Sequence, residues 1–225
     1  MTSFAQDDPP RFSPFSPEGL AARALDKLSL EVPPDAFASA VRPPHGDHQL
    51  APTLPPTPED LLRPAAVLVP VVAHPGDAGV LLTRRASHLR DHSGQIAFPG
   101  GKMDEADPSP LQTALREAEE EIGLDRAHVR PLGYLSPYHS STGFRILPVL
   151  ALVTPGVPLV PNPQEVDAVF EVPLAFLMDE ANHQRHAREW KGALRHYYAM
   201  PYGEHYVWGV TAGILRNMFE RLYGP

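Results

Sequence analysis

Apolar residues recur along the chain with two periods, and the switches between them outline the elements. Two apolar runs, AAVLVPVVAH (residues 65–74) and GVLLTRR (79–85), flank the turn PGDAG and predict a strand hairpin. Next, Leu111, Ala114, Leu115, Ala118 and Ile122 recur at three- and four-residue intervals, the mark of an amphipathic helix. Ser109 supplies its N-cap, Pro110 its first position, Gln112 the residue three after the cap, and Gly123 its stop. VRPLGYLSP and RILPVLALV read as strands separated by the loop YHSSTGF, and DAVFEVPLAFLMDE as a strand turning into a helix. A further hairpin, ALRHYYAMPYGEHYVWG, and a closing helix, VTAGILRNMFERLY, complete the pattern. Strands on either side of a central helix, with a helix at the end, predict an α/β fold whose mixed sheet is covered on both faces.

Composition changes this picture mainly at the N-terminus. Twelve of the 28 prolines fall within the first sixty residues, so residues 1–60 read as a Pro-rich extension and residues 61–225 as the folded domain. One island interrupts the extension: Leu20, Ala21, Ala24, Leu25, Leu28 and Leu30 form the apolar stripe of a short helix expected to dock on the main body. No apolar run reaches the ~18 residues of a membrane span, and MTSFAQDDPPRF lacks the basic start and apolar core of a secretory signal. A cytoplasmic location is therefore the default expectation. The chain has no cysteine, which excludes disulfides, thiol nucleophiles and Cys-ligated zinc. Its formal net charge of −8 argues against nonspecific binding to nucleic acid or to an anionic membrane. A small anionic substrate stays compatible with that charge if local Arg, Lys or a metal offsets it.

The central helix holds the candidate chemistry. Glu117, Glu120 and Glu121 project within a roughly 100° arc beside its buried stripe, whereas Glu119 points elsewhere, towards water. Three converging carboxylates form an oxygen-rich site of the kind Mg²⁺ or Mn²⁺ prefers. Upstream, the turn Pro99-Gly100-Gly101 lets backbone carbonyls approach the same point. Arg116 can hold a carboxylate in register through a bidentate pair. Taken alone, the run EAEEE is equally the mark of a solvated acidic face.

The flanking residues decide between these readings. Arg116-Glu117-Ala118-Glu119-Glu120-Glu121-Ile122-Gly123-Leu124 resembles the C-terminal half of the Nudix box, departing from it only at the small Ala118. Counted from Gly101, the acidic position of the box falls on Asp107, with eight residues rather than seven before Arg116. LLTRRASHLRDHSGQIAFPGG (residues 81–101) resembles the motif preceding the box in the coenzyme A pyrophosphatase branch, whose box has the same one-residue extension. YVWGVTAGIL (residues 206–215) resembles that branch's C-terminal segment. The resemblance implies a Nudix-type α/β/α sandwich that hydrolyses CoA or a derivative to 3′,5′-ADP and 4′-phosphopantetheine. It implies Glu117 and Glu121 as primary ligands of Mg²⁺ or Mn²⁺, with Glu120 and the Gly101 carbonyl as further ones. Glu165, in NPQEVDAVF, is the best-placed acid from a later loop. Glu120 and Glu165 both qualify as general base.

Arg85, Arg90 and Lys102 are expected to meet substrate phosphates, with His92, Ser93 and Gln95 contacting substrate or holding their loop. Arg84 faces the other way on its strand and reads as a surface residue. Phe98 and Trp208 read as core. The aromatics of the second hairpin, Tyr197, Tyr198, Tyr202, Tyr206 and Trp208, either line a substrate channel or pack inside. Two alternatives stay open: a Nudix hydrolase of other nucleoside diphosphates, and a binding module that keeps the fold without the chemistry. Oligomeric state is unread, and a homodimer is compatible with the sequence.

Overall fold

Residues 65–72 are apolar at every position, so the strand they form needs cover on both faces. The computed structural model describes residues 12–38, 43–50, 62–190 and 193–224. Its elements run α1 (Pro17–Lys27), β1 (His45–Gly46), β2 (Arg63–Val72), β3 (Gly79–Arg85), β4 (Ile96–Ala97), β5 (Gly100–Lys102) and α2 (Pro110–Ile122). They continue with β6 (Val129–Tyr134), β7 (Tyr138–Ser140), β8 (Phe144–Val153), β9 (Val166–Pro173) and α3 (Leu174–Leu177). β10 (Gln184–Trp190), β11 (Ala193–Tyr202), β12 (His205–Trp208) and α4 (Val210–Leu222) close the chain.

The main sheet is mixed, in the order β1-β7-β8-β2-β3-β4, with β5 also on β2, β6 on β8 and β9 on β3. Side chains alternate across it. Ala66, Leu68, Leu81, Leu147 and Val149 face Ala114, Ala118 and Ile122 of α2. Val69, Val71, Leu82, Leu150 and Leu152 face the other way, into a core shared with Leu20 of α1 and Ile214, Leu215 and Met218 of α4. The architecture is an α/β/α sandwich.

β2 and β3 form the expected hairpin only near its turn, at Val71↔Val80 and Val72↔Gly79. The other half of β2 turns to β5, pairing Ala65, Ala66 and Val67 with Lys102, Gly101 and Gly100. That split brings the Gly-Gly turn alongside α2. β8 is shared similarly, its first half pairing with β7 and its second with β6.

Several expectations need correction. YHSSTGF is not all loop, because Tyr138–Ser140 pairs with β8. β10 was not expected at all: QRHAREW is too polar to read as a strand, yet it pairs with β11 along its whole length. Leu25 and Leu30 are exposed rather than docked, at 87% and 57%. Trp208 is half-buried and stands edge-on to Tyr197 instead of entering the core. Phe98, by contrast, is buried in the core as expected.

Leu20 and Ala24 do seat α1 against the body. Arg23 Nη1 donates to Leu222 O at 3.0 Å, and Arg221 Nε and Nη2 donate to Lys27 O at 3.1 and 2.7 Å. Each helix thus offers cations to the unpaired carbonyls at the other's C-terminus. Further on, the buried Arg145 guanidinium donates to the carbonyls of Asp35, Ala36 and Ala38. Leu20→Ala should cost about 2–5 kcal/mol in chemical denaturation, whereas Leu25→Ser should stay within roughly 0.5 kcal/mol. Equal effects at the two positions would contradict this docking.

Candidate active site

The site begins with the ends of α2. Ser109 Oγ accepts from the Gln112 N–H at 3.3 Å and fixes the first turn. At the other end Gly123 adopts φ +65°, and its N–H donates to Glu119 O. The last two carbonyls of the helix, which a helix end leaves unpaired, are taken by a loop that precedes β9. Val160 N donates to Ile122 O at 2.8 Å and Asn162 N to Glu121 O at 2.9 Å. A Cβ on Gly123 would stand 3.1 Å from Val160 Cβ, so glycine serves both the left-handed turn and the close approach. Asn162 Nδ2 donates to Glu165 Oε1 at 3.2 Å, and the Glu165 carbonyl accepts from Ala86 N at 2.8 Å. Docked this way, the loop presents Glu165 to the helix carboxylates.

Glu121 is only 4% exposed and accepts a hydrogen bond from the Gly100 N–H. Burial pushes its carboxyl up to about 8, the nearby Glu117 and Glu165 add to the rise, and the charge of Arg85 opposes it. Glu117 is also raised, first by burial and then by Glu120 and Glu165, with Arg116 acting against them. The Glu117 carboxylate lies against Gly101, where a Cβ would come within 2.6 Å of its Cδ. Glycine at this turn is therefore what admits the carboxylate.

Arg116 organises the opposite side. Its Nε and Nη2 donate to the two oxygens of Asp107 at 3.0 and 2.9 Å, while Nη1 donates to Glu117 and Glu120 at 3.0 Å each. Thr113 Oγ1 donates to Asp107 at 2.9 Å, and the Asp104 N–H donates to it at 3.0 Å. Arg116 thereby acts as a positioning group for two of the site carboxylates. Asp107 and Asn162 were not among the expected site residues. Asp107 marks the acidic position of the box, but the extra residue between it and Arg116 left its role unassigned. Asn162 has only the signal of a turn-forming NPQ. Glu120 sits at the rim with its side chain 54% exposed, and Glu119 pairs with Arg126 away from the site.

Arg85 faces Glu121 and is part-buried, and its Nε has no hydrogen-bond partner among the described residues. A bulge in the pairing with β9 falls between Arg84 and Arg85, and Arg84 is exposed. Gln95 O accepts from Arg85 N at 2.9 Å, which fastens the loop after β3 to the site. On that loop His92 Nδ1 contacts Gln95 Oε1 at 2.8 Å, and Ser93 Oγ donates to Ser87 O at 2.6 Å. His92, Arg90 and His88 are exposed there, and Lys102 is exposed at the end of β5. The structure thus brings Glu117, Glu121, Glu165 and Arg85 together, with Glu120 at the rim and Arg90, His92 and Lys102 on the surrounding surface.

Among the described residues, no three His, Asp or Glu side chains already stand close enough together to hold one metal ion. Arg116 accounts for part of that spread, because it draws Glu117 and Glu120 to its own side. The donor set nevertheless fits a hard divalent cation. The carboxylates of buried Glu121 and part-buried Glu117 and Glu165 repel one another here, Arg85 offsets only part of their charge, and every available donor is oxygen. No described helix is long and apolar enough to cross a membrane.

The Arg116 pair holds the Asp107 carboxyl well below its ordinary range. Stability from this pairing is therefore present at neutral pH and lost as pH falls below about 4. Asp107→Asn should cost about 1.5–3 kcal/mol at pH 7, and denaturation curves of variant and wild type should begin to converge only below about pH 4, with the difference partly lost at pH 3. A difference constant from pH 3 to pH 7 would contradict the pairing.

Residues 62–193 match the NUDIX domain family model. Over 160 residues the chain is 41% identical to NudL of Yersinia pestis strain Pestoides F, described as an uncharacterized Nudix hydrolase, covering 71% of this chain and 80% of that one. Among solved structures it resembles the Nudix hydrolase RenU from M. smegmatis, with 25% identity, TM-score 0.44 and coverage of 52% and 74% of the two chains. It also resembles the NUDIX domain of Shewanella oneidensis NrtR, solved with ADP ribose, at 24% identity, TM-score 0.40 and coverage of 51% and 74%. With its family model matched over more than half its length, the chain belongs to the Nudix hydrolases.

Proposed function

We propose that this Nudix hydrolase cleaves the pyrophosphate bond of coenzyme A or a CoA derivative, giving 3′,5′-ADP and 4′-phosphopantetheine or its acyl form. The observation behind the hydrolytic reading is the Glu117–Glu121–Glu165 group, with Glu121 buried and the other two part-buried, whose repulsion a divalent cation would relieve. The CoA assignment draws on the motif at residues 81–101, whose loop is hydrogen-bonded to Arg85 at the edge of this group.

Glu117 and Glu121 would hold Mg²⁺ or Mn²⁺, with Glu120 and the Gly101 carbonyl as further donors. Such an ion neutralises phosphoryl oxygens and makes a bound water more acidic. Hydrolysis adds the water oxygen to one phosphorus and breaks its bond to the bridging oxygen. A carboxylate must accept the proton that water gives up. Glu120 shares Arg116 Nη1 with Glu117, which weakens it as a base. Glu165 accepts only a neutral amide hydrogen bond in its side-chain contacts among the described residues, so it is the better acceptor. Arg85, whose Nε has no hydrogen-bond partner among the described residues, would meet a phosphate oxygen. Gln95, His92, Arg90 and Lys102 would contact the substrate around it.

Incubation of CoA with Mg²⁺ or Mn²⁺, followed by chromatography, tests the reading. Wild type should release 3′,5′-ADP and phosphopantetheine, Glu121→Gln should lose at least a hundredfold in rate, and Glu165→Gln should fall by about 10²–10⁴. Wild type that cleaves other nucleoside diphosphates and spares CoA would overturn the substrate assignment.

A further inference from the structure

The small sheet β10–β12 has an inner and an outer face. Met200 and Val207 point inward and are fully buried. By register, the outer face is shared by His186, Arg188, Arg195, Tyr197, Tyr206 and Trp208. Tyr197 and Trp208 have ring centroids 5.2 Å apart, the His186 ring lies 6.0 Å from Tyr197, and Tyr206 is 40% exposed. Arg188 and Arg195 are direct cross-strand partners, and neither forms an ion pair among the described residues. Like charges placed opposite each other destabilise a sheet. Among the described residues of the three strands this face has no carboxylate: register puts Glu189 on the other side, and Glu204 lies in the β11–β12 turn.

We propose that this outer face binds the nucleotide end of the substrate, with the base stacked on Trp208 beside Tyr197 and a phosphate held by Arg188 and Arg195. The inference rests on the CoA reading above. The pyrophosphate belongs to the carboxylate site, so the arginine pair is left for a separate phosphate such as the 3′-phosphate of CoA. Connectivity ties the β12 edge of this face, which carries Trp208, to the site, with the arginine pair on β10 and β11 beyond it. β12 packs beside β4, where Thr211 Oγ1, just after β12, donates to Ile96 O at 2.9 Å. From Ala97 to Gly101 the chain spans at most about 13 Å.

Charge selects this occupant over two others. A second copy docked by two-fold symmetry would set arginines against arginines. An extended nucleic acid would run past a protein of net charge −8, whereas a mononucleotide needs only this local pair.

The chain has two tryptophans, so Trp190→Phe leaves Trp208 as the only reporter on this face. Titrated without metal, adenosine 3′,5′-bisphosphate should quench Trp208 saturably and bind at least tenfold more tightly than AMP. Calorimetry on the unmodified protein gives the same ratio should Trp190→Phe fail to fold. The Arg188→Ala/Arg195→Ala variant should lose the tenfold preference, and its KM for CoA should rise at least fivefold with kcat within twofold of wild type. Equal affinity for the two nucleotides, an unchanged KM, or tighter binding of an oligoribonucleotide would overturn the proposal. Bisphosphate binding without CoA hydrolysis would sink the substrate reading and leave this face standing. Hydrolysis without such binding would do the reverse.

Discussion

The buried carboxylate of Glu121 is the constraint around which the site is arranged. A carboxylate withdrawn from water and facing two others is costly unless it takes a proton or gains a cation. Arg85 supplies part of the missing positive charge, and Arg116 serves Glu117 and Glu120 from the far side. What remains is a concentration of negative oxygen beside a glycine turn, which suits a divalent ion that must also meet phosphate. The same crowding would be a defect in a protein with no cation to bind.

The fold serves this constraint in two ways. Splitting β2 between β3 and β5 brings Gly100 and Gly101 up to α2, where one donates its N–H to Glu121 and the other leaves room for Glu117. Docking the loop at residues 160–165 on the last carbonyls of α2 fixes Glu165 from a distant part of the chain. Both devices depend on backbone groups, so they leave little trace in side-chain identity. The cover over the opposite face, from α1 and α4, keeps β2 and β8 dry on their second side and holds the platform rigid.

Legibility followed the same division. Helix α2 was readable end to end, because Ser109, Pro110 and Gly123 mark its limits and its apolar stripe has the right period. The two long central strands were readable from their apolar runs. β10 was not, since Arg185, His186, Arg188 and Glu189 give a strand whose partners, rather than its own pattern, hold it in place. Leu25 looked like a docking residue because periodicity does not say how wide a buried stripe is, and Leu30 because the apolar pattern runs on past Lys27, where α1 ends. Arg145, which pins residues 35–38 through their carbonyls, left no pattern to find. In the site, Glu117, Glu121 and Arg85 stood out by motif, Asp107 held a motif position whose role only its bonds to Arg116 and Thr113 assign, and Asn162 emerged only from its hydrogen bonds.

Thermal melting at pH 7.5 with and without Mg²⁺, on wild type and Glu121→Gln, tests the central claim most directly. If a buried negative cluster awaits a cation, Mg²⁺ at a hundredfold excess over its Kd should raise the wild-type Tm by roughly 5–10 °C. It should barely move the variant, whose metal-free form should already melt above metal-free wild type. A wild-type Tm indifferent to Mg²⁺ and Mn²⁺, with a metal-free variant that melts lower, would contradict the account.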